Sequence, residues 1–119
     1  MKELKDMSED QHQKEVIVWF WNTHKKHRGL LYHNYNNPRN AIQGALLKGL
    51  GLMKGNPDLT LALPRGGYGA LYIELKKVGE KPRPEQYIQM DRLEQAGNCV
   101  KWADNYPEVI EIIKNYLSL

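Results

Sequence analysis

The sequence is poor in the features that mark secreted, zinc-binding and membrane proteins. Its single cysteine, Cys99, excludes an intramolecular disulfide, and the four histidines have no zinc-site spacing to a cysteine. The longest apolar run, Val16 to Trp21, is far shorter than the roughly 20 residues of a membrane helix. The N-terminal residues 1–6 have no apolar core, so we expect no signal peptide. The chain is therefore expected to be cytoplasmic, with no membrane partner.

What is present is a chain of 119 residues with a net charge of +3, carried unevenly. The length fits one domain, which we place at residues 8–119, with residues 1–7 frayed. One basic cluster, residues 25–28, suits phosphate binding and the solvated end of a helix equally well. A second basic group is expected to bind phosphates because it adjoins the site described below; it contains Lys77, Lys81 and Arg83.

Capping residues and turn signals divide the chain into eight elements. Ser8 with Gln11 is a capping-box pattern, and Asn37 followed by Pro38 is a second helix start. Helices are predicted over residues 9–26, 37–49, 84–97 and 107–117, and strands over 30–33, 58–63, 70–76 and 98–103. The order α-β-α-β-β-α-β-α predicts an α/β fold of the α+β kind, in which helices flank a mixed sheet.

Two strands of a predicted hairpin bring an Asp, a Glu and a Lys together. Residues 58–63 and 70–76 are the strands, and antiparallel pairing sets Asp58 beside Glu74 and Lys76. Glu74 and Lys76 share one face of their strand because side chains alternate. Two carboxylates and an ammonium at one hairpin end suit a hard divalent cation and an activated water. The alternative is a set of solvated surface charges that contributes little.

Lys76 and the hairpin loop have more specific expected roles. Lys76 would orient or help to deprotonate a water, or steady the charge on a phosphate. The loop from Pro64 to Gly69 is rich in glycine, but its spacing does not fit a phosphate-binding loop and a hairpin turn explains it better. Tyr68 within this loop is a candidate for stacking on a nucleic-acid base.

Several separate blocks resemble the VRR-NUC domain, a branch of the PD-(D/E)xK nuclease superfamily, in its single-domain phage or bacterial form. The similarity runs from about Glu15 to about Tyr116, and the order and spacing of the blocks match. The blocks are Gly55-Asn56-Pro57-Asp58-Leu59, Tyr72-Ile73-Glu74-Leu75-Lys76, Pro84-Glu85-Gln86 and Leu93-Glu94-Gln95-Ala96-Gly97. The resemblance implies a restriction-endonuclease-like core with the catalytic hairpin at the centre of the sheet.

The same resemblance implies roles for residues outside the hairpin triad. Asp58 and Glu74 would bind Mg²⁺ or Mn²⁺, and the Leu75 backbone carbonyl would supply a third protein oxygen. Glu15, on the first helix, would hold the metal directly or through water. Gln86 would line the active site and contact a phosphate or a water. His33 and Arg39 would lie nearby and contact DNA.

We therefore expect a Mg²⁺- or Mn²⁺-dependent DNA endonuclease that hydrolyses phosphodiester bonds, with branched DNA such as four-way junctions as its substrate. The resemblance also implies a homodimer and a role in DNA repair, in a bacterium or a phage-infected cell. The first helix supplies either the dimer interface or core packing through Trp19, Phe20 and Trp21. The alternatives are a monomeric flap or nicking nuclease, and a DNA-binding protein that keeps the fold without catalysis.

Overall fold

The computed structural model of the chain describes residues 2–35 and 40–119. Within these residues there are four α-helices: α1 (Glu9–Thr23), α2 (Ala41–Gly49), α3 (Pro84–Gln95) and α4 (Tyr106–Leu117). The strands are β1 (Leu31–His33), β2 (Leu59–Leu61), β3 (Leu71–Leu75) and β4 (Cys99–Ala103). The predicted order of elements is confirmed, with short 3-10 turns added at Leu4–Asp6 and Lys25–Leu30.

The four strands form one mixed sheet in the order β1-β2-β3-β4. β1, β2 and β3 pair antiparallel, with Leu59 opposite Ile73 in the β2–β3 hairpin. β4 pairs parallel to β3, and helix α3 makes the crossover that a parallel pair requires. The hairpin that carries the predicted site therefore occupies the two central strands, as expected.

Alternation along β2 and β3 separates a core face from a chemical face. The odd-numbered leucines and isoleucine of these strands join Val16 and Phe20 of α1 and Val109 and Ile113 of α4 in one buried cluster. The side chain of Glu74 points to the opposite face, because neighbouring side chains in a strand alternate. Helix α3 covers that face, since Gln86 donates a hydrogen bond to Glu74. The core thus fixes the strand that presents Glu74.

The aromatic segment of α1 fills the core and does not form one surface. Phe20 is fully buried and Trp19 packs against the core cluster. Trp21 alone of the three is exposed, and the guanidinium of Arg28 lies 4.1 Å from its ring centroid. Of the two roles left open for these aromatic residues, Phe20 therefore has core packing, since it lies on the same helical stripe as buried Val16.

The largest differences from the predicted element boundaries are at helices α1 and α2. Helix α2 begins at Ala41, where the Oδ1 atom of Asn40 accepts a hydrogen bond of 2.8 Å from the N–H of Gln43; the start predicted at residues 37–38 lies outside the described residues. Helix α1 has the predicted Ser8 capping box but ends at Thr23, before a 3-10 turn. In the segment expected to be frayed, residues 4–6 form a 3-10 turn and Met7 is buried. None of the helices so described is both long and apolar enough to cross a membrane.

Candidate active site

The predicted acidic pair lies at the open end of the central hairpin. Asp58 directly precedes β2, and the β2–β3 register continues from Leu59–Ile73 to place it opposite Glu74. Glu74 is 2% exposed and Lys76 is 6% exposed, whereas Asp58 is only half-buried. A carboxylate and an ammonium buried this deeply need specific partners, because desolvation of an unpaired charge is costly.

The backbone of Leu75 faces Asp58. The Leu75 N–H donates a hydrogen bond of 2.7 Å to Oδ2 of Asp58, and so a side chain extends the hairpin ladder beyond its last strand pair. In an extended strand the N–H and C=O of one residue point to the same edge. The neighbouring Lys76 N–H points the other way, to the Ala103 carbonyl at 2.8 Å. The Leu75 carbonyl is therefore directed to the edge where Asp58 lies.

Glu74 is held in an environment that favours its neutral form in the protein without metal. Burial first, and then the Asp58 carboxylate, raise the pKa of Glu74 to about 9. The Nζ atom of Lys76 lies 3.7 Å from Oε2, which opposes the shift. Oε1 of Glu74 is buried and has no hydrogen-bond partner among the described residues. A bound cation would satisfy this oxygen and offset the burial of the charge.

Gln86 connects the helix to the acidic pair. Its Oε1 atom accepts a hydrogen bond of 2.7 Å from the Arg83 N–H, which caps the start of α3. Its Nε2 atom lies 3.3 Å from Oε2 of Glu74 and donates to it. The side chain is 6% exposed, so both contacts are shielded from water. One residue thus fixes the helix start and the orientation of the Glu74 carboxylate.

A glutamate of α1 reaches the site, but it is Glu9 and not Glu15. Oε1 of Glu9 lies 3.7 Å from Nζ of Lys76, and Glu9 lines the same cleft as Asp58 and Glu74. Burial is the largest cause of a raised pKa for Glu9, and Asp58 adds to it. Glu15 is exposed and lines a separate, smaller pocket beside Tyr106. The structure therefore does not bring Glu15 to the acidic pair.

Helical geometry explains this difference and gives the signal that was overlooked. Position 15 lies about 240° around the helix from position 9 and about 9 Å further along its axis. Glu9 falls in line with Val16 and Phe20, the stripe that packs on the sheet. A glutamate at the head of a core-facing stripe, directly after the Ser8 cap, projects past the packed residues toward the strand ends. The apolar stripe itself is readable from the sequence, but the element on which it packs is not.

The acidic pair opens into a cleft of about 720 Å³ between α2 and the start of α3. Its far wall is the segment from Gly51 to Asn56, and Lys48, Lys54 and Arg83 line it with positive charge. Gly55 has φ +83°, and a Cβ there would lie 2.4 Å from the Glu85 carbonyl oxygen. The segment that precedes Asp58 therefore packs directly on the backbone of α3.

Asn34 braces the Asp58 loop from the other side. Its Nδ2 atom donates to the Pro57 carbonyl at 2.9 Å and to Oγ1 of Thr60 at 2.8 Å, and its N–H donates to the Asp58 carbonyl at 2.7 Å. These contacts span both sides of Asp58 in the chain. The position of the Asp58 side chain is therefore set by an element that precedes it and by α3.

The remaining predicted DNA contacts are spread over the molecule. Arg83 lines the cleft and pairs with Glu85 at 3.1 Å, whereas Lys77 and Lys81 are exposed and do not line it. His33 is exposed, and its Nδ1 atom lies 3.1 Å from Nε2 of Gln13. Arg39 lies outside the described residues.

Tyr68 lies at the opposite end of the hairpin from the acidic pair. It pairs with Arg65 in the turn that joins β2 to β3. The length of β3 separates this turn from Glu74, so the structure does not bring Tyr68 to the cleft. Its ring centroid is 6.3 Å from that of Tyr116, which gives it a packing role on the hairpin turn.

The residues present suit a divalent cation with an incomplete protein shell. Across residues 2–35 and 40–119, no group of three Asp, Glu, His or Cys side chains is close enough to hold a metal unaided. Two carboxylates and a backbone carbonyl leave several positions to water, which is the preference of Mg²⁺. A bound cation would also explain why Oε1 of Glu74 is buried without a hydrogen-bond partner among the described residues.

Comparison with solved structures places this fold among known domains. The structure is similar to one described as "VRR_NUC domain protein", with a TM-score of 0.85 and 28% sequence identity over 100% of this chain and 93% of that chain. It is also similar in fold to one described as "VRR_NUC domain", with a TM-score of 0.58 and 24% identity over 91% of this chain and 96% of that chain. No family model matches the sequence, and no curated protein matches it. The fold over the whole chain is therefore that of a VRR-NUC domain, which supports the nuclease family that the sequence resemblance implied.

Proposed function

We propose that this protein is a Mg²⁺- or Mn²⁺-dependent DNA endonuclease that hydrolyses phosphodiester bonds in the cleft beside Asp58. The observation that carries the proposal is the buried Glu74 carboxyl, whose Oε1 atom has no partner among the described residues and which lies beside Asp58 and Lys76. A domain that served only to bind DNA would gain nothing from clustering acids where phosphates approach. The arrangement therefore favours catalysis over binding alone.

Asp58, Glu74 and the Leu75 carbonyl are the proposed metal ligands, with Glu9 taking the place first assigned to Glu15 and acting through water. The bound metal would supply Lewis-acid activation of a water and neutralisation of phosphate charge. The Leu75 N–H holds the Asp58 carboxylate in one orientation, and Gln86 does the same for Glu74. Such partners of metal ligands tune affinity and activity.

Lys76 is the proposed cation for the reacting phosphate. Its ammonium lies 3.7 Å from a carboxylate oxygen of both Glu9 and Glu74. This distance is too long for a tight hydrogen bond, so both carboxylates attract the ammonium and neither holds it in place. In this position it can orient a water or stabilise negative charge that develops on a phosphate oxygen. Lys48, Lys54 and Arg83 then extend the positive charge along the cleft and would position the DNA backbone.

The finer proposal is a homodimer that acts on branched DNA, with four-way junctions as the leading substrate, in repair within the cytoplasm of a bacterium or a phage-infected cell. It rests on the similarity to VRR-NUC domains and on a cleft lined by charged groups rather than by a base-reading surface. The site residues of the proposal are Asp58, Glu74, Lys76, Glu9 and Gln86, with Lys77 and Lys81 as outer phosphate contacts.

The test uses purified protein with Mg²⁺ or Mn²⁺ and a labelled panel of linear duplex, flap, fork and four-way junction. Asp58→Asn and an EDTA sample serve as controls. Metal-dependent cuts that both controls abolish are expected, with paired cuts at the junction. Cleavage of a flap alone by a monomer would favour the flap-nuclease alternative. Retained DNA binding without any metal-dependent cut would contradict the proposal in favour of a non-catalytic binder.

A further inference from the structure

Among the residues that the structure describes, none packs against the outer face of helix α2. None of its residues is buried, and the large apolar side chains on this face are exposed by 84% at Ile42, 62% at Leu46 and 76% at Leu50. They follow one another at a spacing of four and so form a single ridge. A helix of 9 residues is too short to be stable alone in water. We therefore expect another surface to cover this ridge.

The shape of this face matches a second copy of itself. A row of small residues, Ala41, Ala45 and Gly49, runs directly beside the ridge and is exposed along its length. A Cβ added at Gly49 would meet no atom within 4 Å, so this row is an open groove. Ridges at a spacing of four pack into grooves of the same spacing at a crossing angle of about −50°. About a two-fold axis, the ridge of each copy would fill the groove of the other.

We propose that this outer face of α2 is the homodimer interface, packed against the same helix of a second copy. Each large side chain of the ridge carries on the order of 100 Å² of apolar surface. With the small-residue rows and Tyr35, which hydrogen-bonds to Gln43 of the helix, two copies bury on the order of 1,000 Å², near the lower bound for a specific interface. A reversible dimer in the micromolar range is expected.

The interface bears directly on the cleft. Gly44 and Lys48 line the cleft, and they lie about 160° around α2 from Leu46, on its opposite side. The partner would therefore pack on the back of the wall that faces the nucleic acid. Two helices about 8–10 Å apart would set the clefts back to back. The inference deepens the proposed function, because it rests on the dimer proposed there and adds that each copy supports the other's cleft wall.

The test is sedimentation of the full chain without DNA or metal, from about 1 to about 100 µM. Native protein is expected to dimerise, and Leu46→Glu to remain monomeric with an unchanged circular-dichroism spectrum. Val18→Glu, which changes an apolar residue 48% exposed on α1, is the matched control and should dimerise. Native protein that stays monomeric at the highest concentration, or Leu46→Glu that still dimerises, would overturn the proposal.

A second measurement separates this inference from the proposed function. Cys99→Ser with Leu46→Cys should give a covalent dimer on mild oxidation, whereas Cys99→Ser with Val18→Cys should not. Cross-linking requires no activity, so it stands even if the cleavage panel fails. Equal cross-linking at both positions would mean random collision and would overturn the interface. Cleavage of DNA by a protein that never cross-links at residue 46 would leave the nuclease proposal intact and remove this one.

Discussion

The Nε2 atom of Gln86 lies 3.3 Å from Oε2 of Glu74, while the same side chain accepts a 2.7 Å hydrogen bond from the Arg83 N–H. Gln86→Leu should therefore weaken both contacts at once. We expect apparent Mn²⁺ affinity to fall about 10–100-fold and the free energy of unfolding to fall by about 1 kcal/mol from the lost cap. Titration calorimetry and urea unfolding measure the two effects.

Gln89→Leu is the control for this variant. Gln89 lies one turn further along α3, and its Nε2 atom is 3.3 Å from Oδ1 of Asn56 and does not contact Glu74. Its metal affinity should stay within about two-fold of native protein, because effects of this class need contact with a ligand. Equal losses of metal affinity in both variants would show that Gln86 has no special connection to Glu74.

Glu9→Gln and Glu15→Gln form a matched pair on one helix. Glu9 lies 3.7 Å from Lys76 and lines the cleft, whereas Glu15 is exposed elsewhere. We expect kcat/KM for cleavage to fall roughly 10–100-fold in Glu9→Gln and to change little in Glu15→Gln. A loss confined to Glu15→Gln would restore the assignment made from the sequence resemblance.

The pKa of Glu74 predicts a pH dependence of stability in the metal-free protein. Burial and Asp58 raise this pKa from its ordinary 4.5 to about 9, so the folded state binds the proton more tightly than the unfolded chain. The resulting stabilisation is complete below pH 4.5 and is lost as the pH rises through about 9. In EDTA, the unfolding free energy of native protein minus that of Glu74→Gln should therefore fall over this range.

Saturating Mn²⁺ is the companion measurement. Because the cation and the proton compete for Glu74, added Mn²⁺ should stabilise native protein more strongly as the pH rises. It should stabilise Glu74→Gln much less at every pH. A pH-independent difference in EDTA, or equal stabilisation of both proteins by Mn²⁺, would mean that Glu74 does not titrate as its surroundings indicate.

Gly55→Ala should disturb the wall of the cleft. The positive φ at position 55 would strain the backbone of any residue other than glycine, and the new Cβ would lie 2.4 Å from the Glu85 carbonyl oxygen. Gly67 has φ +88° with no atom within 4 Å of an added Cβ. Gly67→Ala therefore introduces backbone strain of about 1–3 kcal/mol without a steric clash. Thermal unfolding should show a larger loss for Gly55→Ala, accompanied by weaker cleavage. Similar losses of thermal stability in the two variants would argue against close packing of Gly55 on α3.

Much of the fold was readable from local signals, because each is a property of a few neighbouring residues. The Ser8–Gln11 capping box and the Pro84 helix start lie where expected, and alternation in the central hairpin correctly predicted that Asp58 and Glu74 would meet. These features depend on short-range geometry. The proximity of Asp58 and Glu74 therefore follows from the sequence pattern alone.

What the sequence concealed depends on packing between distant segments. The choice of Glu9 over Glu15 follows from which stripe of α1 meets the sheet, and the sequence resemblance alone does not give the rotation of the helix about its axis. Likewise, an aromatic run gives no sign that Phe20 is buried and Trp21 exposed. The cleft wall at Lys48 and Lys54 arises from the way the segment before Asp58 folds back over α3, which no local pattern indicates.

The outer strands of the sheet limit how the protein can aggregate. β1 has only 3 residues, and β4 carries an exposed Lys101 at its centre. Short strands and edge lysines resist the addition of a foreign strand, the usual first step toward fibrils. Concentrated samples should therefore tolerate storage without forming amyloid-like material. Replacing Lys101 by valine would remove this protection and turn the β4 edge into a template for growth.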